Sequence, residues 1–244
     1  SLFNSKRCVP TSSCGGPAMS LLLPAGGATV TAAPVTISFA AATYDSVNRT
    51  EYTFSSHAIG TAAADRQVVV ATTTIGGGGG TEGVGTLTIG GSSAALVKAG
   101  TVGGDHTQTE LWKLAVASGT TADIVVTWQR SCSNSSVAVW AVYGASTTIS
   151  ATAGDTTDPD PTTTIAVPAD GGVIAAYSSE PNTGTAVAMT GVTEDYDTIP
   201  ETSFMIAGGN DDQLAAETRT ILFNINGTIW NGGTSLVVAS FAVA

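Results

Sequence analysis

Few residues in this chain carry reactive or ligating side chains, and their spacing limits the chemistry open to them. Three cysteines are present: Cys8 and Cys14 near the start, and Cys132 in the middle. The five residues between the first two are enough to close a small ring, and either thiol can equally reach another chain. Cys132 follows a predicted strand in Ser131-Cys132-Ser133-Asn134, where a loop thiol can receive a neighbour's cysteine. An odd count with two members on a tail suits intermolecular pairing. Cys8, Cys14 and Cys132 are therefore candidate inter-subunit disulfide residues, with unused thiols as the alternative. A structural zinc site wants four ligands at paired short spacings, and the two histidines, His57 and His106, stand alone. No metal ligand set is assigned.

Acidic residues cluster at Asp155/Asp158/Asp160, at Glu194-Asp195-Tyr196-Asp197 and at Asn210-Asp211-Asp212. Calcium needs six to eight oxygen ligands in a tight loop. None of these clusters has EF-hand spacing, and Asp and Asn are also preferred turn formers, so turns are expected here. Paired carboxylates for glycoside hydrolysis would need a cleft with aromatic platforms. The four tryptophans, Trp112, Trp128, Trp140 and Trp230, are scattered through predicted strands and read as core. Neither histidine sits in a nucleophile motif, and no Gly-X-Ser-X-Gly elbow leads into a helix. Gly76–Gly80 lacks the Lys-Ser/Thr pair of a phosphate loop and reads as a flexible hairpin tip. No catalytic or cofactor-binding residue is assigned, and a non-enzymatic role is expected.

The elements that must position these residues are strands. Short Val/Thr/Ile runs such as Gln67–Ile75, Ile124–Trp128, Val137–Tyr143 and Ile221–Ile225 alternate with Gly, Pro, Asn and Asp clusters. β-Branched and aromatic residues fit a pleated, half-buried surface, and regular breakers mark a sandwich or barrel. Leu111, Lys113 and Ala115 share one face of their strand, and Trp112, Leu114 and Val116 share the other. Val137–Tyr143 is apolar on both faces, which places it centrally or against a partner. Strands are expected near residues 35–40, 50–56, 67–75, 84–90, 94–99, 107–117, 123–130, 136–144, 162–167, 172–179, 186–193, 202–208, 218–227 and 234–243.

Residues 1–34 differ: they carry four prolines and show no sustained alternation. They read as an extended arm, followed by one domain over 35–244 with a long mid-chain connection around 153–161. The fold expected is all-β, a two-sheet β-sandwich of jelly-roll or immunoglobulin-like kind with an extended N-terminal arm. Leu2, Phe3, Leu21, Leu22 and Leu23 are the candidate arm anchor, since ordering an arm must be offset by apolar contact.

Charged residues make up 11% and apolar ones 43%, with a net charge of −11. Phosphate backbones bind clustered Lys and Arg, so nucleic acid is not an expected partner, and an acidic membrane surface would repel the chain. A Thr/Ser/Asn/Gly surface loses little side-chain entropy when covered, which points to an assembly. Weakly guarded strand edges point to a homo-oligomer, trimer or dimer. No run approaches a membrane span and Leu21–Leu23 is halted by Pro24, so synthesis in the cytoplasm without a signal peptide is expected.

Several strings resemble a group of β-rich structural proteins of tailed bacteriophages and prophages of Gram-negative bacteria. They are Ala58-Ile59-Gly60-Thr61-Ala62-Ala63-Ala64-Asp65-Arg66, Leu87-Thr88-Ile89-Gly90-Gly91 and Val137–Ala145. Val167-Pro168-Ala169-Asp170-Gly171-Gly172-Val173 and Gly191-Val192-Thr193-Glu194-Asp195-Tyr196-Asp197 complete the set. The likeness spans roughly residues 50 to 200 and leaves out the cysteine-bearing arm. It implies a virion component: a capsid decoration or minor capsid protein, or a tail-fibre, collar or receptor-binding module. The expected partners are the major capsid protein or other virion proteins. A carbohydrate-binding β-sandwich is the third reading, and exposed tryptophans would favour it. Acidic charge favours the outer surface of the particle, because the inner wall faces packaged DNA.

Overall fold

A computed structural model describes residues 32–75, 83–101, 107–157, 159–201 and 204–244. All regular structure among them is β. The strands are β1 (Thr36–Asp45), β2 (Arg49–Ala58), β3 (Gln67–Ile75), β4 (Val84–Ile89), β5 (Ser92–Ser93), β6 (Ala95–Thr101), β7 (Thr107–Ala115) and β8 (Thr121–Cys132). They continue with β9 (Ser135–Tyr143), β10 (Ala145–Asp155), β11 (Thr162–Val167), β12 (Gly171–Thr190), β13 (Thr193–Glu201), β14 (Phe204–Leu214) and β15 (Glu217–Val243).

Three antiparallel sheets form, in place of the expected two. The central sheet runs β1-β9-β3-β7-β6, and the outer sheet β2-β8-β4-β5 covers one of its faces. The third sheet runs β10-β15-β12-β14-β13, with β11 paired to β15, and covers the other face. The reason lies in the central strands, which are apolar on both sides. Val68 and Val70 of β3, and Val137 and Val139 of β9, pack with Tyr52, Leu87, Ile124, Val126 and Trp128 of the outer sheet. Their alternates Val69, Ala71, Ala138, Trp140 and Val142 pack with Ile174, Ala176, Val237, Ala239 and Phe241 of the third. Since successive side chains point to opposite faces, a strand of this kind needs a layer on each side.

A third core lies on the far face of the third sheet. β12 and β15 pair along nearly their whole length, with register shifts between Ser179 and Val187. Val173, Ala175, Leu236 and Val238 from one half meet Ile165, Val187, Ile221 and Phe223 from the other. The ribbon therefore folds back on its own sheet, and Tyr177 stacks on Phe223 with ring centroids 5.2 Å apart. The strands expected at 172–179 and 186–193 are one bent strand, as are those at 218–227 and 234–243. The expected connection at 153–161 is shorter, because Ala145–Asp155 is strand β10.

Polar chemistry marks one end of the stack. Between the central and third sheets, Thr109 Oγ1 and Ser178 Oγ are 2.7 Å apart and Ser235 Oγ donates to the Gly100 carbonyl at 2.8 Å, while within the central sheet Thr73 bonds Ser136. Hydroxyls in this layer can be buried because they find partners across it. At the other end, Arg66 is fully buried, and its guanidinium donates to the carbonyls of Val116 (2.7 Å), Gly60 (2.7 Å) and Ser118 (2.9 Å). This one side chain ties the loop before β3 to the loop after β7.

The chain enters the body at this same end. The Val35 N–H donates to the Asp170 carbonyl at 2.8 Å, and the Ala244 N–H donates to the Gly144 carbonyl at 2.9 Å. Gly144 has a φ of +67° and Pro34's carbonyl lies where a side chain would stand, so the position suits only glycine without strain. Residues Ala32–Ala244 form one compact unit.

Candidate functional site

β1 and β2 leave a tight turn at residues 46–48 and part into different sheets. Each is an edge strand, with a single neighbour in its own sheet, and so carries outward backbone N–H and C=O groups, of which the Ile37 N–H is taken by the Asp212 carboxylate at 2.8 Å. Between them lies a groove of about 410 Å³, lined from β1 by Ala41, Thr43 and Tyr44 and from β2 by Thr53, Ser55 and His57. Tyr44 is 45% exposed and Val47, in the closing turn, is 57% exposed. These are two of the three large apolar side chains exposed among the described residues; Tyr44 lines the groove and Val47 lies in the turn that closes it. The turn is braced by an Arg49–Asp45 ion pair of 2.7 Å, and the Arg49 guanidinium stands 5.2 Å from the Tyr52 ring centroid.

A backbone irregularity shapes the far end. The β2–β8 register shifts between Phe54 and His57, and Ser56 within the shift has φ +52°. That left-handed conformation is uncommon for a non-glycine residue and costs free energy. The Asp123 carboxylate holds it by accepting the Ser56 N–H at 2.8 Å. The bulge turns His57 inward, where it is 6% exposed. Its Nδ1 lies 3.1 Å from the Ala58 carbonyl, which can only accept, so Nδ1 carries the proton. Nε2 is buried without a hydrogen-bond partner. Burial lowers the pKa against the upward pull of the Ala58 carbonyl, keeping the ring neutral at neutral pH.

Cys132 departs from the sequence expectation. It is the last residue of β8 rather than a loop residue, and it is 0% exposed within the core between the central and outer sheets. Its thiol points back at the Arg130 carbonyl, 3.5 Å away, and Tyr52 donates to the Cys132 carbonyl at 2.7 Å. A neighbour's cysteine has no path to it without opening the strand end. Alkylating reagent is expected to leave Cys132 unmodified in the folded chain and to label it on denaturation. Peptide mapping after a brief exposure checks this, and fast native labelling would contradict the burial. Cys8, Cys14, Leu2, Phe3, Leu21, Leu22 and Leu23, as well as His106 and Gly76–Gly80, lie outside the described residues.

Trp112, Trp128 and Trp140 are buried, and the side chain of Trp230 lies outside the described residues. Two of the acidic clusters expected in turns are instead in strands: Glu194–Asp197 in β13 and Asp211–Asp212 in β14. Asp155 does organise a turn. Its carboxylate accepts from the backbone of Thr156, Thr157 and Thr162, and these bonds outweigh burial and hold its pKa down. Among the described residues no group of three or more His, Cys, Asp or Glu is placed to hold a metal ion.

One polar cluster went unseen in the sequence. Glu110 of β7 is 2% exposed and accepts from the indole N–H of Trp112 at 2.8 Å, from the Gln108 amide at 2.5 Å and from the Val84 N–H at 3.2 Å. The only signal was period-two spacing of Gln108, Glu110 and Trp112 on one strand face. Burial raises its pKa more than these three bonds lower it. A raised native pKa means the unfolded chain releases the proton first, so this contribution to stability is complete below the ordinary carboxylate range. It is lost as pH rises through the native pKa. Glu110→Gln is expected to flatten the fall in stability as pH rises above the ordinary carboxylate range, read by urea unfolding across that range. An unchanged pH slope would remove Glu110 as its source.

No protein-family model matches the chain, and no curated protein matches it.

Proposed function

We propose that the chain is a non-enzymatic structural component of a bacteriophage particle. It sits on the outside of the capsid as a decoration or minor capsid protein, anchored by its N-terminal arm. The observation that carries this reading is the strand order of residues 36–143. Edge to edge, β1-β9-β3-β7 faces β2-β8-β4-β5. This interleaving is the double Greek key of a jelly roll, with β6 added at one edge, and we favour it over an immunoglobulin-like order. Jelly rolls recur in viral capsid and lectin domains. A fold hosts many functions, so the reading leans also on the sequence resemblance and on the outer face of β2 and β8. There Glu51, Thr53, Ser55 and Gln129 are exposed, and the apolar payload of the same strands is turned inward.

The runner-up, a tail-fibre, collar or receptor-binding module, is supported by Tyr44, an exposed ring beside a polar groove. The same feature would serve a carbohydrate-binding sandwich, although the burial of Trp112, Trp128 and Trp140 weighs against a broad sugar platform. Immunogold labelling of purified particles from the phage or induced prophage that encodes the chain tests the ranking. Label distributed over the capsid supports the proposal. Label confined to the tail tip reverses it, and particles lacking the chain overturn it.

A further inference from the structure

We infer that the β1–β2 groove binds a neutral hydroxylated ligand, one or two saccharide rings, with a ligand hydroxyl donating to His57 Nε2. The inference gives the groove a ligand class and stands apart from the reading as a capsid component, since every residue it uses belongs to one chain. A buried side-chain acceptor without a partner is uncommon in a folded protein and calls for an explanation. His57 is 6% exposed and lines the groove. Its Nδ1 proton is engaged by the Ala58 carbonyl, and Nε2 is left as an acceptor with nothing to accept from. What it needs is a hydrogen-bond donor.

The backbone around the groove is shaped for a site. β2 is bulged between Phe54 and His57, and β1 between Phe39 and Ala41, so both framing strands depart from regular pairing beside it. Bulges at sheet edges re-aim side chains. Ser56 keeps its left-handed backbone, at φ +52°, through one hydrogen bond to the Asp123 carboxylate. Strained residues of this kind gather at ligand clamps and switch regions. Nε2 has almost no surface of its own open to solvent. A hydroxyl therefore reaches it only as the bulge gives, and Ser56 is where it can.

The walls set the class of ligand. Small-molecule sites run from about 300 to 1,000 Å³, and a groove of about 410 Å³ suits one or two sugar rings. Tyr44, 45% exposed, offers an aromatic face to the apolar side of such a ring. Thr43 and Thr53, one from each strand, bring hydroxyls that donate and accept. The carboxylate that lines the groove, Asp45, is engaged by Arg49 at 2.7 Å and by the Val47 N–H at 2.9 Å, so no cation is called for. A chain of net charge −11 repels anions, which disfavours acidic sugars and phosphates.

The test uses the full chain carrying isotope-labelled histidine, followed by nitrogen NMR at neutral pH. Glucose, galactose, mannose and N-acetylglucosamine are titrated in, with glucuronate as the acidic counterpart. The chain has two histidines, and His57→Gln assigns the signals. The His57 Nε2 resonance is expected to shift saturably with at least one neutral sugar, at a dissociation constant of about 1 mM for a ligand of so few atoms, and not with glucuronate. Tyr44→Ala, at an exposed position, should weaken that binding about tenfold with the circular dichroism spectrum unchanged, and Tyr44→Phe should retain it. A resonance that none of the four sugars moves overturns the inference. Binding that Tyr44→Ala leaves intact overturns it too, as does a shift produced equally by glucuronate. Particle labelling bears on none of these readouts, so the phage reading and the saccharide site fail separately.

Discussion

Replacing Arg66 by alanine is expected to destabilise the chain by about 3 kcal/mol, since it empties a fully buried side-chain site and removes hydrogen bonds from a charged donor, each worth roughly 1.5–3 kcal/mol before rehydration of the freed carbonyls. Three are freed at once: Gly60, Val116 and Ser118. Arg66 is 0% exposed, whereas Gly60 and Val116 are half-buried and Ser118 is exposed, so the Ser118 carbonyl is the one that water most readily takes over. Lysine is not a conservative exchange, because one ammonium cannot present the planar fork that reaches three carbonyls. Arg66→Lys should recover only part of the loss. Methionine restores the packing of the stem without the donors, so Arg66→Met separates hydrogen bonding from volume. At about 2–4 °C per kcal/mol for a chain of this size, the shift is easily seen by calorimetry. Wild-type stability in Arg66→Met would show that the three bonds contribute nothing net.

Trp140→Ala should be comparable, at about 3–5 kcal/mol for removal of a buried aromatic from a packed core. Trp140 lies in β9 with Phe39 and Val69 as its cross-strand neighbours, and its ring packs against Phe39 and Tyr196 at centroid distances of 5.7 and 6.0 Å. It therefore joins the central sheet to β13 of the third. The indole N–H also donates to the Asp195 carboxylate at 2.6 Å, and the Asn210 amide donates to the same oxygen at 2.7 Å. Trp140→Phe keeps much of the ring contact and removes the donor, at about 1–3 kcal/mol. The two variants differ in pH dependence. Burial already raises the pKa of Asp195, opposed by the indole and amide bonds. Loss of the indole must raise it further. The added cost in Trp140→Phe is then smallest below the ordinary carboxylate range, where Asp195 is protonated in both states, and grows as pH rises through its raised native pKa. Unfolding of both variants from below the ordinary carboxylate range up to neutral pH checks this, and a loss in Trp140→Phe that does not change with pH would refute the Asp195 link.

Long apolar strands were legible in the residues themselves. Gln67–Ile75 and Val137–Tyr143 appear where their β-branched residues place them, and the two-sided pattern of the latter pointed to the central position it holds. Ile124, Val126 and Trp128 share the inner face that their spacing implied. β10 and β13 were not legible. Ala145–Asp155 is mostly Ser, Thr, Ala and Gly, and Thr193–Glu201 carries Glu, Asp and Pro. Both are sheet edges, where one side of the strand faces solvent and composition drifts toward that of loops. The bends in β12 and β15 were read as breaks for a similar reason, since Pro181, Gly184 and Gly227 lie in the paired ribbon.

Sequence alone settled the all-β class and the alternating faces of the long apolar strands, because period-two burial is a local property of an extended chain. It did not reveal that the central sheet is covered twice, that Cys132 is closed off, or that two edge strands frame a groove. Each of those depends on which strands become neighbours. Strand neighbours here are distant in sequence, as β1 beside β9 and β2 beside β8 show, and backbone hydrogen bonding between strands is nearly indifferent to residue type. The choice of partners is made by how three apolar layers can be buried together, which is a property of the whole chain. The inward turn of His57 belongs to the same class: one extra residue in a bulge moves a side chain from one face to the other, and only the pairing of β2 with β8 decides where that residue goes.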